Sequence, residues 1–343
     1  MRRLLITGII LCTVVLFIPT MLVLLGSSST SEQVQSTEVA ANPAPPPEAT
    51  EEYQPEEDVT VAVFRNQSST VEQIPLEEYV IGVVGSEMHA SFEVEALKAQ
   101  SLAARTYVLQ YMMNEEHFDF PEGAVVTDTT NHQVYQDNEQ LKEKWGADFE
   151  QNYAKVREAV LATKGEILTY DGQPIDAQFF STSNGYTENS EDYWGNETPY
   201  LKSVTSPWDQ ESPRFSGIKR MSVAEFESKL KVNLPDDGTV GTIVSRTDGG
   251  RVAVAQINGK EISGRVVRDE LGLDSSDFQW QRQGDEIIIQ TRGWGHGVGM
   301  SQYGANGMAL EGKTYEEIVH YYYQDITIQS TKPFVEQYVA KNS

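Results

Sequence analysis

The run Val94-Glu95-Ala96-Leu97-Lys98-Ala99-Gln100-Ser101-Leu102-Ala103-Ala104-Arg105-Thr106-Tyr107 carries the strongest helical pattern in the chain. Its alanines and leucines favour helix, and the apolar spacing predicts a helix from Val94 to about Tyr111. Ser91 is the predicted N-cap, because a serine hydroxyl accepts hydrogen bonds from the free N–H groups of a first turn. Glu93 and Glu95 lie near that turn, where the helix dipole favours acids. One long helix is therefore predicted in this region.

Apolar spacings typical of helices and of strands both occur on either side of this helix. Strands are predicted where apolar residues alternate, at Val59–Val63, Ile175–Phe180, Thr239–Val244, Val252–Ile257 and Glu286–Thr291. Further helices are predicted at Gln140–Thr163, Val223–Leu230, Ser301–Leu310 and Tyr315–Tyr323, the last with a capping box at Thr314–Glu317. Because helices and strands do not alternate strictly, the predicted fold class is α+β, with mostly antiparallel sheets.

Charge and cysteine content exclude several classes of protein. The chain has 343 residues, with 26 basic and 51 acidic side chains, a net charge of −25 and one cysteine. Such an acidic surface repels nucleic acid, so no nucleic-acid partner is predicted. A single cysteine excludes a disulfide framework and a cysteine-rich zinc module.

The N-terminus differs in composition from the rest of the chain. Residues 1–3 contain two arginines, and residues 4–25 are almost wholly apolar and long enough to cross a bilayer. A cleavable signal peptide is the alternative, although its apolar region is normally only about 7–15 residues long. We expect a transmembrane anchor with a cytoplasmic tip, because arginines stay inside. Residues 26–58, rich in Pro, Ser and Glu, are predicted to be a disordered tether, which leaves 59–343 as an extracytoplasmic domain.

Most candidate chemical motifs fail on detail. The five histidines show no metal-binding spacing, and no cofactor or metal is predicted. Ser216–Lys219 has Ser-x-x-Lys spacing but lacks the motifs that accompany it in penicillin-binding enzymes. The run Gly293–Gly299 has the wrong glycine spacing for a phosphate loop, and no Lys-Ser/Thr follows it. Its glycines instead predict a tight, close-packed turn that requires positive φ angles.

One carboxylate is placed differently from the many others. Glu87 lies between the apolar pair Val83-Val84 and Met88, just ahead of the long helix. Apolar neighbours disfavour the charged form, which would raise the pKa of Glu87 and leave a proton available for donation. The alternative is an exposed glutamate that interacts with the dipole of the following helix.

Four segments carry motifs that composition and periodicity do not explain. They are Glu87-Met88 with Glu95–Tyr107, Asp128 with Gln133–Tyr135, Phe180–Glu188 with Pro199–Val204, and Gly293–Ala305. The last of them, with its repeated glycines and Met-Ser-Gln-Tyr-Gly, is the most distinctive. Together these segments resemble the stage II sporulation protein D family of endospore-forming bacteria, and the resemblance implies that residues 59–343 are a catalytic domain whose sheets form a substrate cleft.

The resemblance implies a lytic transglycosylase of sporulation. Such enzymes cut the β-1,4 bond between N-acetylmuramic acid and N-acetylglucosamine in denuded peptidoglycan strands and form a 1,6-anhydromuramyl product. The family acts in septal peptidoglycan remodelling during engulfment, between mother cell and forespore, with a cell-wall amidase and a multi-pass membrane protein as partners. By this resemblance the N-terminal helix holds the protein in the cell membrane.

The resemblance also assigns residues. Glu87 matches the catalytic acid, and Arg105 and Lys202 match basic residues linked to activity. Some relatives bind a metal near Asp128–Tyr135, but this chain offers His132 without a cysteine there, so no metal is carried over. Further substrate-binding candidates lie in the matched segments: Tyr135, Ser183, Tyr200, His296, Gln302 and Tyr303.

One carboxyl group suffices for this chemistry. The muramyl C6 hydroxyl is an internal nucleophile, so Glu87 is hypothesised to protonate the leaving oxygen and then to deprotonate that hydroxyl. Arg105 and Lys202 are hypothesised to bind the lactyl carboxylate of a denuded strand. The alternative for Arg105 is a buried ion pair, and that for His296, Gln302 and Tyr303 is a packed turn. Trp294 is expected to pack on a sugar ring.

Two non-enzymatic functions remain as alternatives. The related amidase enhancer proteins suggest a non-catalytic modifier that stimulates a cell-wall amidase. A scaffold that recruits the amidase is the other. Formation of anhydro products by the purified protein distinguishes an enzyme from both.

Overall fold

The structure is a computed structural model that describes residues 59–114, 123–235 and 237–342. Helices and strands are mixed along the chain, which confirms the α+β class. The helices are α1 (Leu76–Glu87), α2 (Val94–Met113), α3 (Asn138–Trp145), α4 (Phe149–Ala162), α5 (Ser190–Trp194), α6 (Val223–Leu230), α7 (Gly264–Leu271), α8 (Gln302–Leu310), α9 (Tyr315–Tyr322) and α10 (Lys332–Asn342).

The strands form small sheets in which most neighbours are antiparallel, as predicted. Only β1–β3 and β6–β13 pair in parallel within the described ranges. The sheet orders are β2-β1-β3, β14-β4-β5, β13-β6, β10-β9-β8 and β11-β12-β7. The strands are β1 (Thr60–Arg65), β2 (Thr70–Pro75), β3 (Val126–Thr127), β4 (Glu166–Tyr170), β5 (Gln173–Pro174), β6 (Phe179–Phe180), β7 (Ser216–Ser222), β8 (Thr242–Arg246), β9 (Val252–Ile257), β10 (Lys260–Ser263), β11 (Phe278–Gln283), β12 (Glu286–Arg292), β13 (Met300–Ser301) and β14 (Thr327–Ser330).

Helix α2 lies at the centre of the larger of two apolar cores. Its small residues, among them Ala99, Ala103 and Ala104, are fully buried. Small side chains allow neighbouring helices to approach closely, and α2 packs against α1, α4, α8 and α9. A helix that is apolar on all sides is stable only when it is enclosed in this way.

The segment from 216 to 292 has a smaller core of its own. Phe226, Leu271, Phe278 and Ile289 are buried there, between two three-stranded sheets and helices α6 and α7. We call residues 216–292 the inserted lobe, and residues 59–215 together with 293–342 the main lobe. Both lobes belong to one compact unit.

Several predicted boundaries differ from the structure. The N-cap of α2 is Glu93, not Ser91, and the helix extends to Met113. The single helix predicted over Gln140–Thr163 is two, because the chain turns at Gly146, whose φ is 55°. Of the strand predicted at Ile175–Phe180, only Phe179 and Phe180 pair with another strand.

Helix α1 is the main element that the sequence pattern missed. Its residues include Val80, Ile81, Val83 and Val84, all essentially buried. Such β-branched residues favour strands, and burial on every side removes the amphipathic spacing that marks a helix. Glu87 is therefore the last residue of one helix, not a residue in a loop ahead of the next.

The predicted anchor at 4–25 and the predicted tether at 26–58 lie outside the described residues. Within the ranges that the structure covers, no helix combines the length and the apolar character that crossing a membrane requires.

Candidate active site

A cleft of about 1390 Å³ lies where the inserted lobe faces the main lobe. The main lobe contributes the end of α1, the loop that follows it, and the glycine-rich turn. The inserted lobe contributes Arg265 and Arg268 of α7. Of the predicted site residues, the cleft brings together Glu87, His296, Gln302 and Tyr303.

Glu87 reaches the cleft from the last turn of α1. Its Oε1 accepts a hydrogen bond from the Val134 backbone N–H at 2.8 Å. The side chain is half-buried, between Met88, which is buried, and the cleft. A single backbone donor fixes the carboxyl group and leaves its other oxygen available to a ligand.

The surroundings of Glu87 favour its protonated form. Burial raises the pKa of Glu87, and this effect exceeds the opposite influences of the Val134 N–H and the Lys144 ammonium, which lower it. The position adds to burial, because the carbonyl end of α1 carries partial negative charge that disfavours a carboxylate. The predicted upward shift in pKa is therefore present, and desolvation is its chief cause.

Lys144 links the end of α1 to α3. Its Nζ donates to the carbonyl oxygens of Gly85 (3.0 Å) and Ser86 (2.9 Å), which α1 itself leaves without helical partners. Burial lowers the pKa of Lys144, and Glu87 opposes that shift. Lys144 therefore caps the helix and sets part of the field at Glu87.

Tyr135 does not line the cleft; it lies beneath the site. Its ring stacks on that of Tyr79, with the two ring centroids 5.4 Å apart. The guanidinium carbon of Arg65 lies 4.9 Å from the centroid of the Tyr135 ring. A Cβ at Gly82 would overlap the Tyr135 ring, so α1 needs glycine there. The expectation of direct substrate contact is corrected: Tyr135 is 7% exposed and positions the segment whose Val134 N–H holds Glu87.

The glycine-rich turn has the positive φ angles that the sequence predicted. Gly293, Gly295, Gly297 and Gly299 have φ angles of 80°, 114°, 92° and 80°. At Gly299 a Cβ would overlap the Gln178 carbonyl oxygen, so only glycine fits. The intervening side chains alternate along the turn, and Trp294 and His296 line the cleft.

His296 shapes the wall of the cleft and has no free ring nitrogen. Its Nδ1 accepts from the Val298 N–H (3.1 Å), so the proton is on Nε2, which donates to the Phe179 carbonyl oxygen (3.0 Å). Burial, followed by the nearby Arg268 charge, lowers the pKa of His296 to about 4. The ring is therefore neutral and structurally fixed.

Gln302 and Tyr303 begin α8 and face the same cavity. Gln302 Nε2 donates to Gln100 Oε1 at 3.3 Å, which anchors it to α2. The Tyr303 ring meets Phe92 edge-on at 4.9 Å and His89 at 6.2 Å. These rings form an apolar shelf beside Glu87, consistent with the expected sugar-binding position.

Arg105 does not reach the cleft. It is fully buried, and its Nε and Nη2 donate to the two carboxylate oxygens of Glu77 at 2.9 and 2.7 Å. Its Nη1 and Nη2 also donate to the backbone carbonyl oxygens of Glu166 and Val160, respectively. The expectation that Arg105 contacts substrate is corrected, because a guanidinium with these partners has neither exposure nor free donors; the alternative of a structural ion pair describes it.

Lys202 also lies away from the cleft. Its Nζ pairs with Glu191 (2.7 Å) and Glu197 (2.6 Å), and the side chain is 30% exposed. Glu191 belongs to α5, whose last residues Tyr193 and Trp194 line the cleft. Lys202 therefore braces α5 from outside, and the expected contact with substrate is corrected for it as well.

Ser183 and Tyr200 support a wall of the cleft without lining it. Ser183 is fully buried and donates from Oγ to Asp209 at 2.8 Å. The Tyr200 hydroxyl accepts the Asp176 backbone N–H at 3.0 Å. Neither residue lines the cleft, which corrects the expectation of direct binding; Tyr200 instead fixes the position of Asp176.

Asp176 is a second cleft carboxyl that the sequence pattern did not single out. Burial raises the pKa of Asp176, and the hydrogen bond that its Oδ1 accepts from Gln178 (2.8 Å) opposes that shift. It lies between two predicted strand residues, Ile175 and Ala177, and no motif surrounds it. Only the fold places it in the same cavity as Glu87.

Three cleft arginines were also missed. Arg214 lies over the Trp294 ring at 4.4 Å, Arg265 lies over the Tyr193 ring at 4.8 Å, and Arg268 Nη1 donates to the Tyr193 hydroxyl at 3.0 Å. Arg265 and Arg268 are three residues apart on α7 and so share a face. Recognition of α7 from the sequence would have paired these two, whereas nothing in the sequence links Arg214 to them.

His132 is held by its neighbours in the loop that follows β3. The Thr127 backbone N–H donates to His132 Nδ1 at 3.2 Å. Across the described ranges, no group of three or more His, Cys, Asp or Glu side chains is arranged to hold a metal ion.

Comparisons with known proteins agree with the resemblance. Residues 65–170 match the SpoIID family (Stage II sporulation protein). The chain is 49% identical to stage II sporulation protein D of Bacillus subtilis (strain 168), over 99% of this chain and 100% of that protein. It is also 49% identical to stage II sporulation protein D of Bacillus amyloliquefaciens, over 96% and 97% of the two chains. Similarity to the amidase enhancer of Bacillus subtilis is lower, at 30% identity over 73% of this chain and 40% of that protein. The chain belongs to the stage II sporulation protein D family.

Proposed function

We propose that this sporulation protein is a lytic transglycosylase that cleaves the MurNAc–GlcNAc β-1,4 bond of denuded peptidoglycan strands. One observation carries the proposal: Glu87 is a fixed, half-buried carboxyl in the interlobe cleft, and burial raises its pKa. A glycosidic oxygen is a poor leaving group unless it is protonated as the bond breaks. Asp176 also lines the cleft with a raised pKa, but Glu87 is the carboxyl that matches the catalytic acid of the family, and we assign that task to it.

The proposed reaction uses Glu87 twice. The Glu87 carboxyl transfers its proton to the glycosidic oxygen, the C1–O4 bond breaks, and its electron pair stays on the leaving GlcNAc oxygen. The C6 hydroxyl of the same muramyl unit then attacks C1, and its proton passes to the Glu87 carboxylate. One C–O bond is broken and one formed, no water is consumed, and the enzyme returns to its starting state.

The rest of the cleft suits a chain of sugars. Tyr303, Trp194 and Trp294 present ring faces or edges to the cavity, and aromatic side chains pack well on the apolar faces of sugar rings. The residues that line the cleft extend from the end of α1 to α7. A polymer that passes between the two lobes would therefore contact both ends of it.

The family membership supports a cellular setting for this activity. We propose that residues 4–25 anchor the protein in the cell membrane with residues 1–3 in the cytoplasm, and that residues 59–343 act in the septal space during engulfment. A cell-wall amidase that removes stem peptides, and a multi-pass membrane protein of the engulfment complex, are the proposed partners.

The direct test uses the purified 343-residue chain on glycan strands from which an amidase has removed the peptides. Glu87→Gln should lower release of anhydromuramyl fragments by about 10²–10⁴-fold, the typical contribution of a general acid–base group. Glu78→Gln, on the same helix but outside the cleft, is the matched control and should cleave like the parent. Near-parental turnover by Glu87→Gln would refute the assignment.

A second candidate function rests on the 30% identity to the amidase enhancer. In that case the protein stimulates or recruits a cell-wall amidase without cutting glycan itself. Adding Glu87→Gln protein to an amidase assay separates the two functions. Full stimulation by this variant, together with no anhydro product from the parent, would favour the non-catalytic modifier or scaffold.

A further inference from the structure

We propose that Arg268 and Arg214, which both line the cleft, bind the carboxylate of an anionic sugar unit. The proposal rests on the proposed function in taking a glycan strand as the ligand. It replaces Arg105 and Lys202, whose charges are already paired with glutamates of the chain itself.

Arg268 has hydrogen-bonding capacity that the protein does not use. Its Nε is buried and has no hydrogen-bond partner, and among the residues that the structure describes its ion pair with Asp269 is long, at 3.7 Å. Nη1 donates to the Tyr193 hydroxyl at 3.0 Å, which holds the guanidinium plane against α5. A fixed guanidinium that keeps N–H groups without protein partners is suited to pair with a carboxylate.

Arg214 is placed in the same cavity without an acidic partner. Within the part of the chain that the structure describes, no carboxylate lies within ion-pair distance of its guanidinium, which stacks over Trp294 at 4.4 Å. Its charge contributes to lowering the pKa of His89, after burial, so its field reaches the residue two positions after Glu87.

Aromatic rings surround both cations. Trp194 and Trp294 are 37% and 39% exposed, and the Trp194 and Tyr193 rings lie 5.7 and 5.9 Å from the neutral His296 ring. Rings flanked by guanidinium groups are suited to a ligand that has an apolar face and a negatively charged edge. A sugar acid has both.

The charge balance of the chain makes these arginines informative. With 51 acidic and 26 basic residues, most cations can find a carboxylate partner, as Arg220 does with Glu286 at 2.7 Å. A neutral sugar would leave both guanidinium charges without a counter-charge. A carboxylate on the sugar, such as a lactyl group that carries no peptide, would satisfy them. We therefore assign the ligand as an acidic sugar in a strand whose carboxylates are free.

Arg265 has a different role. Its Nη1 donates to the Tyr193 backbone carbonyl at 3.2 Å, its Nε lies 3.7 Å from Asp269, and nearly half of the side chain is exposed. These contacts tie α7 to α5 across the cleft. Arg265 is a support of the site, and the test does not depend on it.

The experiment measures binding without cleavage. Glu87→Gln protein is titrated by calorimetry with soluble denuded glycan oligosaccharides, and with the same oligosaccharides after their carboxyl groups are converted to methylamides. Arg268→Gln and Arg214→Gln, each added to Glu87→Gln, should weaken binding of the acidic ligand at least about tenfold and leave binding of the amide ligand unchanged. Arg220→Gln, in the same lobe as Arg268 and outside the cleft, is the control for loss of one charge and should have no effect.

Arg268→Lys keeps the charge and should lose less affinity than Arg268→Gln. Measuring both variants also distinguishes loss of the charge from failure of one variant to fold. Equal affinity of the parent for the acidic and amide ligands, or equal weakening of both by the arginine variants, would overturn the proposal. Failure of the proposed function looks different: the parent would form no anhydro product while the arginine-dependent preference for the acidic ligand remained.

Discussion

Two glutamates at opposite ends of helix α1 differ in their partners and in the roles that we give them. Glu77, in the first turn, is 3% exposed and shares both carboxylate oxygens with the buried Arg105. Glu87, at the last position, meets one backbone N–H and the cleft. The first is a charge locked into the core by its partner. The second is a carboxyl whose burial without a cation in direct contact raises its pKa.

The comparison explains why a basic residue can be essential without touching substrate. Arg105 lies on α2 and holds the beginning of α1, while Glu87 acts from the end of α1. Loss of the ion pair would disturb the helix that presents the acid. Activity linked to Arg105 is therefore expected to be lost through structure, and activity linked to Glu87 through chemistry.

The largest expected effect is on stability. Arg105→Ala leaves the Glu77 carboxylate buried without its partner and should lower the free energy of unfolding by about 3–5 kcal/mol. Urea unfolding monitored by circular dichroism measures it, with the exposed pair of Arg220 as control, since Arg220→Ala should cost no more than about 1 kcal/mol. The double variant Glu77→Met/Arg105→Met should lose less than Arg105→Ala; a larger loss would contradict the ion-pair account.

The next effect is on the pH dependence of cleavage. The reaction needs Glu87 protonated, so the rate should stay high above the ordinary glutamate pKa of 4.5 and then fall about tenfold per pH unit once pH exceeds the raised pKa. Lys144→Met removes an influence that lowers the pKa of Glu87, so this fall should begin at higher pH. A pH–rate profile that does not move in Lys144→Met would contradict the role given to that ammonium.

A smaller effect is expected on how the stability of the protein depends on pH when Glu87 is replaced. The pKa of Glu87 is raised in the folded state, so the wild-type protein loses stability relative to Glu87→Gln as pH rises through that pKa. Glu87→Gln should therefore melt at the same temperature as wild type near pH 4 and at an equal or higher temperature near pH 8. A variant that melts well below wild type at both pH values would make Glu87 a structural residue like Glu77.

The smallest effect is expected at Asp176. A single-carboxyl reaction does not require it, so Asp176→Asn should lower turnover by less than about tenfold and leave the anhydro product unchanged. Product analysis by mass spectrometry measures both quantities. A loss as large as that of Glu87→Gln would indicate a two-carboxyl glycosidase instead.

The sequence predicted those features that depend on local pattern. Helix α2, the capping box at Thr314, the positive φ angles of the glycine-rich turn and the raised pKa of Glu87 each follow from neighbours in the chain. Helix α1 was missed because its β-branched residues are buried on all sides, and packing there overrides local propensity.

The partners of the arginines depend on distant contacts. Arg268 reaches Tyr193 across 75 positions of sequence, and Arg105 reaches Glu77 across 28. Whether an arginine finds a carboxylate of its own chain or faces the cleft is decided by contacts between residues far apart in the sequence. Composition indicated that a few cations must oppose the acidity, but it gave no means of choosing them.

The most direct test of the single-carboxyl account is cleavage of denuded glycan in water enriched in ¹⁸O, followed by mass spectrometry of the new muramyl ends. Attack by the C6 hydroxyl predicts 1,6-anhydro ends that carry no ¹⁸O, formed by the wild-type protein and not by Glu87→Gln. Reducing muramyl ends that carry one ¹⁸O atom would show that water is the nucleophile and would contradict the account.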